Sequence, residues 1–350
     1  MTYFDNGFAR LYQADARHLP IPDSSVDCVV TSPPYWGLRD YGLGEWVGGD
    51  EYCEHQVGRF EYAVSSKQKS NSASAGHQAK DTCPKCGAKR IDEQLGLEQT
   101  PEAYCANMVE VFREVWRVLK PTGTVWLNLG DSYSSGSRTT TTNDTLRKDT
   151  LVNVTRTPVV EGIKPKDLVG IPWRVAFALQ ADGWYLRSDI IWSKPNPMPE
   201  SVTDRPTKAH EYVFLLTKRP RYYYDADAIR EPATQEMNLN NSKDKNGVYR
   251  GLTRERDMMP ESRNKRSVWE VTTKPYPEAH FATYPEKLVE PCILAGCPTG
   301  GTVLDPFVGS GTTLAVAQRL GRKGVGTDIN DEYLKLASRR LGDIPIPMIL

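Results

Sequence analysis

The sequence lacks a net charge, a long apolar run and an amino-terminal targeting pattern. Lysine and arginine together number 44, and so do aspartate and glutamate. The overall basic balance typical of nucleic-acid-binding proteins is therefore missing, and any such contact must come from local basic clusters. No apolar stretch is long enough to cross a bilayer, and residues 1–10 do not resemble a signal peptide. A membrane protein is not expected.

A regular cysteine framework is also missing. The seven cysteines are unevenly spaced, unlike those of a small secreted protein held together by disulfides. We therefore expect a cytoplasmic protein. At 350 residues, the chain is long enough to bury one large core or two modest ones.

A complete dinucleotide-binding fingerprint is absent, but the strand, glycine turn and helix that usually surround it are predicted near the end of the chain. Residues 302–304 predict a buried strand, and residues 312–320 predict a helix. The turn between them carries Gly309 and Gly311 but lacks the third glycine of G-x-G-x-x-G. A second strand, residues 324–327, ends on Asp328, roughly 20 residues after the turn, where an acid can accept hydrogen bonds from ribose hydroxyls.

Asp305 narrows the choice of cofactor. A carboxylate just before the glycine turn would repel a pyrophosphate but can hold an ammonium group. An ammonium and a ribose together fit S-adenosylmethionine better than a dinucleotide. An ordinary strand–helix connection is the alternative. Because a nucleotide-binding unit usually opens its domain, this late position indicates either a separate domain or a circular permutation.

A second informative turn lies near the amino terminus. The apolar strand of residues 26–30 runs directly into Thr31, Ser32, Pro33, Pro34 and Tyr35. Two adjacent prolines cannot continue a strand ladder, so they fix a rigid turn where α/β sheets bind ligands. The serine hydroxyl and the first proline carbonyl can accept two amine hydrogens from a planar base, and the tyrosine can stack on it. A plain loop end covering the core is the alternative.

These two stretches resemble the motifs of one family. Ser32-Pro33-Pro34-Tyr35 is similar to the (D/N/S)-P-P-(Y/F/W) motif of amino-group DNA methyltransferases, and 305–312 is similar to their S-adenosylmethionine motif. The catalytic motif precedes the cofactor motif, as in the permuted β group. The resemblance covers residues 8–45, 98–225 and 278–340. It implies an α/β fold with a Rossmann-like class I methyltransferase sheet that is circularly permuted within one domain, 1–350.

The resemblance also implies roles and partners. The catalytic turn would be Ser32, Pro33, Pro34 and Tyr35. Bacterial or phage origin is implied, with double-stranded DNA and a cognate restriction endonuclease as partners. The expected cofactor-binding residues are Asp15, Thr31, Lys287, Asp305, Pro306, Phe307, Gly309, Gly311, Thr312, Asp328 and Asn330.

The residue before the two prolines bears on the choice of base. In this family serine there favours cytosine N4, whereas aspartate usually accompanies adenine N6. We therefore expect methylation of the exocyclic amine of cytosine, N4, on a base flipped out of the duplex. Adenine N6, an RNA or small-molecule substrate, and a non-catalytic binder are the alternatives.

A cysteine-rich insertion, residues 46–97, predicts a zinc-ribbon-like site. Cys83-Pro84-Lys85-Cys86-Gly87 has the form of a zinc knuckle, and Cys53 with His55 would complete a Cys3His set. With four protein ligands the zinc would be structural. A redox pair formed by Cys83 and Cys86, or free surface cysteines, are the alternatives.

Two polar regions are candidates for contact with DNA. Residues 134–160, rich in serine and threonine, predict a flexible loop that could close over DNA, or an inert linker. Residues 226–272 lose apolar periodicity and lie where the family has its target-recognition region; a solvated polar insertion is the alternative. The basic residues expected to contact DNA are Arg250, Arg254, Arg256, Arg263, Lys265 and Arg266.

The remaining periodic segments predict the other elements. Helices are expected over 101–119, capped by Thr100, and over 166–182. Strands are expected over 8–12, 124–129, 185–192, 211–217 and 222–224.

Overall fold

The computed structural model describes residues 2–37, 44–50, 52–55, 82–91, 94–134, 162–233, 262–273 and 284–345. The chain divides into two compact units. The first comprises Met1–Pro33, Met108–Gly130 and Pro172–Leu350, and the second comprises Pro34–Asn107 and Asp131–Ile171. Among the helices in these described ranges, none combines the length and apolar character that a membrane crossing requires.

The strands, in chain order, are β1 (Thr2–Asp5), β2 (Ala9–Gln13), β3 (Val26–Thr31), β4 (Glu45–Val47), β5 (Lys89–Ile91), β6 (Leu119–Leu129), β7 (Tyr185–Ser193), β8 (His210–Thr217), β9 (Glu231–Pro232), β10 (Ser262–Arg263), β11 (Val268–Glu270), β12 (Thr302–Asp305) and β13 (Lys323–Asp328). The helices are α1 (Pro101–Val118), α2 (Ile171–Ala181), α3 (Glu286–Gly296), α4 (Thr312–Arg319) and α5 (Asp331–Gly342), with a 3-10 turn at Asp227–Ile229.

A mixed nine-stranded sheet forms the first unit, in the order β1-β2-β13-β12-β3-β6-β8-β7-β11. The run from β2 to β6 is parallel, whereas β1 and β8 pair antiparallel with their neighbours. The last two strands of the chain, β12 and β13, thus lie between β2 and β3. The carboxyl ends of β2, β13, β12 and β3 therefore meet at one edge of the sheet.

The central strands are apolar because helices cover the parallel part of the sheet. In β3, all residues except Asp27 are buried, and Cys28 packs in the core as the strand pattern predicts. Its neighbours there include Trp126 of β6 and Ile293 of α3. The glycine at 296 is required by this packing, because a Cβ there would lie 2.5 Å from the indole nitrogen of Trp126.

Most predicted elements are confirmed, with differences at their ends. The side chain of Thr100 accepts a hydrogen bond from the amide of Ala103 at 3.1 Å, as expected for a helix cap. The helix predicted from 166 begins instead at Ile171, because Lys166 and Gly170 both have positive φ. The strand predicted at 222–224 is wrong, since those residues form no ladder. Helices α3 and α5 and strand β1 had not been anticipated.

The second unit is described around two features. Strands β4 and β5 pair antiparallel as a short hairpin, with Trp46 opposite Arg90. Elsewhere Asp131 accepts hydrogen bonds from the amides of Gly170 and Ile171 at 3.0 Å, which satisfies backbone donors at the start of a helix. Asp131 thus has a structural use.

Candidate active site

Asp305 ends β12 and is the hub of the sheet edge in the first unit. It is 1% exposed. One carboxylate oxygen accepts from the hydroxyl of Thr31 at 2.7 Å and from the amide of Phe307 at 3.1 Å. The other accepts from the hydroxyls of Thr313 at 2.7 Å and Tyr284 at 2.9 Å. The carboxylate therefore joins β3, β12, α4 and the segment leading into α3.

That Asp305 holds an ammonium group stays a prediction, and this arrangement gives the residue a supporting role as well. A carboxylate offers about four lone-pair sites, and donor groups of four residues lie within hydrogen-bond distance of it. The ammonium group anticipated from the sequence would have to compete with these donors. Burial raises the pKa of Asp305, while the bonds from Thr313, Thr31 and Tyr284 work in the opposite direction. The residue has the position of a support for the site.

The glycine turn after β12 faces Asp328, the last residue of β13. Gly309 has φ +48° and donates its amide to one oxygen of Asp328 at 3.0 Å. The other oxygen accepts from the amide of Asn330 at 2.9 Å. Burial raises the pKa of Asp328 to about 6. Sequence reasoning correctly puts an acid at the end of this strand, next to the turn.

Gly311 shows why the turn needs glycine. It has φ +77° and immediately precedes α4. A Cβ at this position would lie 3.2 Å from the Cβ of Ala337 in α5. A side chain would therefore be both strained and crowded, and the backbone can turn sharply into the helix only without one.

Of the other expected cofactor residues, three form hydrogen bonds or ion pairs within the fold and one is exposed. Thr312 receives a hydrogen bond from Arg340 at 3.0 Å, and the Pro306 carbonyl accepts from Thr327 at 2.9 Å, so both are tied into the fold. Asp15 follows β2 and pairs with Arg17 at 2.6 Å. Burial favours a higher pKa for Asp15, but the bonds from Arg17 outweigh it and lower the pKa. Lys287 is exposed on α3.

The predicted catalytic turn begins at the end of β3. Thr31, the last residue of the strand, donates a hydrogen bond to Asp305, so the backbone entering Ser32 is anchored to the end of β12. Ser32 is half-buried and Pro33 is buried. Both belong to the first unit.

The following residues of the turn belong to the second unit and are held there by contacts that the sequence did not reveal. The hydroxyl of Tyr104 donates to the Pro34 carbonyl at 2.9 Å. Gly96 lies against the same segment, since a Cβ there would be 3.0 Å from the Tyr35 carbonyl. Trp36 is 1% exposed, and its indole nitrogen donates to the Glu98 carbonyl at 2.8 Å.

Three residues of these networks escaped sequence reasoning: Tyr284, Thr313 and Tyr104. Tyr284 lies three residues before Lys287, within residues 278–340 where the family resemblance implies Lys287 as a cofactor-binding residue. Residues 280–283 lie outside the described part of the chain. Thr313 directly follows the glycine motif, so its position was a usable signal. Tyr104 had none, because it looks like any apolar residue of α1.

The expected metal ligands converge within the second unit. The ligand atoms of Cys53, His55, Cys83 and Cys86 all lie within 4.8 Å of one another. The Cys53 and Cys83 sulfurs are 3.9 Å apart, and the Cys86 sulfur lies 3.3 Å from Nδ1 of His55.

The basic region expected to contact DNA is described only in part. Arg263 and Arg266 both pair with Glu231, at 2.9 and 2.8 Å. Lys265 lies over the ring of Trp269, 5.3 Å from its centroid. Because Trp269 is buried in β11, this end of the region is part of the main sheet. Arg250, Arg254 and Arg256, like nearly all of the 134–160 loop, lie outside the described residues.

Comparison with known proteins relates the chain to DNA-modifying enzymes. The DNA methylase family profile, which covers N6 and N4 methyltransferases, matches residues 26–339. The chain is 44% identical over 320 residues to the Type II methyltransferase M.SmaI of Serratia marcescens, covering 91% of this chain and 85% of that protein. It is 43% identical over 335 residues to the Type II methyltransferase M.Cfr9I of Citrobacter freundii, covering 95% and 87%.

A solved structure has a similar fold. The PvuII DNA methyltransferase (cytosine-N4-specific) matches with a TM-score of 0.56 and 16% identity, covering 97% of this chain and 89% of that one. The large mixed sheet is thus a methyltransferase fold.

Proposed function

This chain belongs to the DNA methylase family and is an amino-group DNA methyltransferase; from that premise we propose that it methylates N4 of cytosine. S-adenosylmethionine would supply the methyl group from its positively charged sulfonium; the sulfur would leave as a neutral thioether, and the amine would lose one proton as its nitrogen bonds to the methyl carbon. The observation that supports methyl transfer at this turn, whichever base is used, is the hydrogen bond between Thr31 and Asp305, 2.7 Å long. It fixes the turn that contains Ser32 beside the strand that leads into the glycine motif.

Ser32 is the reason for choosing cytosine, because in the family this chain resembles a serine before the two prolines favours cytosine N4, whereas an aspartate usually accompanies adenine N6. An exocyclic amine is a poor nucleophile because its lone pair is delocalised into the ring. The Ser32 hydroxyl and the Pro33 carbonyl would accept the two amine hydrogens, which localises the lone pair and aims it at the methyl group. Proximity and alignment of this kind can supply a large part of a rate enhancement. The rigid Pro33-Pro34 turn suits that task, since proline restricts the backbone.

Tyr35 would hold the base once it has left the stack. Enzymes that modify a base in a duplex extrude it and stack it on aromatic side chains. The turn around Tyr35 is supported by the Tyr104 hydroxyl on Pro34 and by the close approach of Gly96. These contacts would fix the backbone that carries the aromatic ring.

The cofactor would lie along the edge formed by β12 and β13. Gly309 and Gly311 allow a close approach of the backbone, and Asp328 would accept hydrogen bonds from ribose hydroxyls. Asp305 would act as a positioning residue, because its lone pairs are used by Thr31, Thr313, Tyr284 and Phe307.

We also propose that the methyltransferase sheet is circularly permuted. Supporting this, the strands of the cofactor motif come last in the chain yet lie between β2 and β3. The DNA-contacting surface would include the basic stretch of residues 226–272. Since M.SmaI and M.Cfr9I are Type II methyltransferases, a cognate restriction endonuclease is the proposed functional partner.

Expression in a bacterial host without DNA methylation of its own tests the proposal. Single-molecule sequencing of the host genome should detect N4-methylcytosine at one recurrent sequence. A Ser32→Ala variant expressed at the same level is the control and should leave the genome unmodified. N6-methyladenine at a recurrent sequence would overturn the choice of base.

A further inference from the structure

The hairpin of the second unit brings four metal-binding side chains to one point. Strand β4 leads into the loop that carries Cys53 and His55, and Cys83 and Cys86 precede β5, its antiparallel partner. The two pairs of ligands are separated by 27 residues in the sequence, and the strand pair β4–β5 flanks them on both sides. We propose that Cys53, His55, Cys83 and Cys86 bind one structural zinc ion.

The distances fit a tetrahedral site. With a Zn–S length of about 2.3 Å and a Zn–N length of about 2.05 Å, tetrahedral angles give an S–S separation of ~3.8 Å and an S–N separation of ~3.6 Å. The sulfurs of Cys53 and Cys83 are 3.9 Å apart, and the Cys86 sulfur is 3.3 Å from Nδ1 of His55. All four ligand atoms lie within 4.8 Å of one another, so an ion would draw the more distant pairs together by up to about 1 Å.

The backbone around Cys83 has the shape of a knuckle. The Cys83 amide donates to the Ala88 carbonyl at 2.7 Å, and the Gly87 amide donates to the Cys83 carbonyl at 2.8 Å. Gly87 has φ +76°, which a glycine adopts without strain. These bonds hold Cys83 and Cys86 at the tip of one tight turn, with both sulfurs directed at the cluster.

A second loop closes on the cluster from the other side. Gly49 has φ +75°, and a Cβ there would lie 2.7 Å from the Cys86 sulfur and 2.9 Å from the Ala88 nitrogen. The backbone at position 49 can therefore lie this close to the Cys86 thiol only if the residue there is glycine. The Cys53 amide donates to the Asp50 carbonyl at 3.0 Å, which continues the turn to the first ligand.

The histidine ring is also oriented. Trp46 of β4 packs against His55, with centroids 5.1 Å apart and planes at 30°. With the ring held in this way, Nδ1 faces the Cys86 sulfur. Packing that fixes a ligand before the metal arrives is a usual feature of metal sites.

Competing explanations fit less well. A disulfide needs an S–S distance near 2.05 Å, far shorter than the 3.9 Å between Cys53 and Cys83. A redox pair of Cys83 and Cys86 would not require Cys53 and His55 to converge on them. Three thiolates and one imidazole are a soft, nitrogen-containing set that selects zinc, and four protein ligands leave no open position for catalysis.

The ion would stabilise the strand pair β4–β5 in the way that a hydrophobic core stabilises a larger domain. Among the residues of 44–55 and 82–91 whose side chains the structure describes, Cys83 and Ala88 are buried, so few of these side chains pack in an apolar interior. Small structures of this kind commonly depend on a metal, whose binding free energy becomes folding free energy. The hairpin should therefore lose its order when zinc is removed.

Metal analysis of the full-length protein tests the site directly. Protein purified with zinc and a thiol reductant, then desalted, should retain about one zinc per chain. Cys83→Ser and Cys86→Ser should lose it, whereas Cys105→Ser, in the same unit but outside the cluster, should keep it. His55→Cys should also keep zinc, since four thiolates form an equally common structural site.

Hydrogen exchange of the wild-type chain tests the site without relying on variants, so it remains informative if the variants fail to fold. Chelation should speed exchange of peptides from 44–55 and 82–91 and leave peptides from β12 unchanged. Wild-type protein without stoichiometric zinc, or a Cys83→Ser variant with a full complement, would overturn the proposal. Neither measurement depends on which base is methylated. The zinc proposal can therefore fail while the proposed function stands.

Discussion

The hydroxyl of Thr31 donates to the carboxylate of Asp305 across 2.7 Å, and this bond links the two motifs that define the site. Thr31 is the residue before Ser32, and Asp305 is the last residue of the strand before the glycine turn. The two are 274 positions apart in the chain. Strands β3 and β12 pair in parallel, which brings their carboxyl ends together. The proposed amine-binding and cofactor-binding elements therefore share one buried support.

Ser32→Ala separates chemistry from cofactor binding. Because the hydroxyl is proposed to serve the amine, kcat should fall by about 10²-fold or more, the usual effect of removing one positioned hydrogen-bonding group. Calorimetry should give an unchanged cofactor affinity. Ser201→Ala, at an exposed position, is the control. Turnover equal to that of wild type would remove Ser32 from the mechanism.

Tyr284→Phe tests the support around Asp305. The change removes a donor to a buried carboxylate and keeps the ring. Leaving a buried polar group short of a partner costs about 1–3 kcal/mol, so the free energy of unfolding in urea should drop by that amount. Tyr52→Phe, at a side chain that is 88% exposed, should have no effect. Equal stability of the two variants would contradict a supporting role for Tyr284.

The raised pKa of Asp328 predicts two effects of opposite sign as the pH falls, one on cofactor affinity and one on the free energy of unfolding. Burial raises its pKa to about 6 from an ordinary value of 3.8. The ionised carboxylate is the form proposed to accept hydrogen bonds from the ribose, so cofactor affinity should weaken as the pH falls below about 6. Without cofactor, Asp328 takes up a proton at a higher pH in the folded state than in the unfolded state. Its contribution to stability should therefore grow as the pH falls from 7 to 4.

Calorimetric titration between pH 5 and 8 measures the first of these effects. Asp328→Asn should bind cofactor weakly at every pH and show a flatter profile. An affinity for the wild type that stays constant through pH 6, or a variant with the wild-type profile, would exclude Asp328 as the titrating ligand.

Glu286 should make the protein sensitive to strong acid. Its carboxylate pairs with Arg319 and Arg340 at 2.6 and 2.7 Å, and the bonds from Arg319 above all lower its pKa to about 2. The stabilisation is present above the ordinary carboxyl pKa and is lost as the pH falls towards 2. Glu286→Gln should lower Tm at pH 7 and narrow the difference in Tm between pH 7 and pH 3. An unchanged Tm at pH 7 would contradict this.

Local patterns were sufficient to predict the elements that carry the chemistry. The apolar run of 26–30, the glycine turn after 305 and the acid at 328 each have a local physical cause, and all lie where the sequence indicated. The helix end at Ile171 was missed because it depends on positive φ at Lys166 and on the cap from Asp131, a residue far back in the chain. The bonds to Asp305 from Thr31 and Tyr284 could not be predicted from local patterns, because tertiary packing brings these residues together from distant parts of the chain.

The most direct measurement is the identity of the methylated base. Purified protein would be incubated with duplex DNA and isotopically labelled S-adenosylmethionine, and the DNA would be digested to nucleosides for mass spectrometry. We predict that the label appears in N4-methylcytosine and is absent when Ser32 is replaced by alanine. Label in N6-methyladenine would keep the enzyme class and contradict the proposed choice of cytosine.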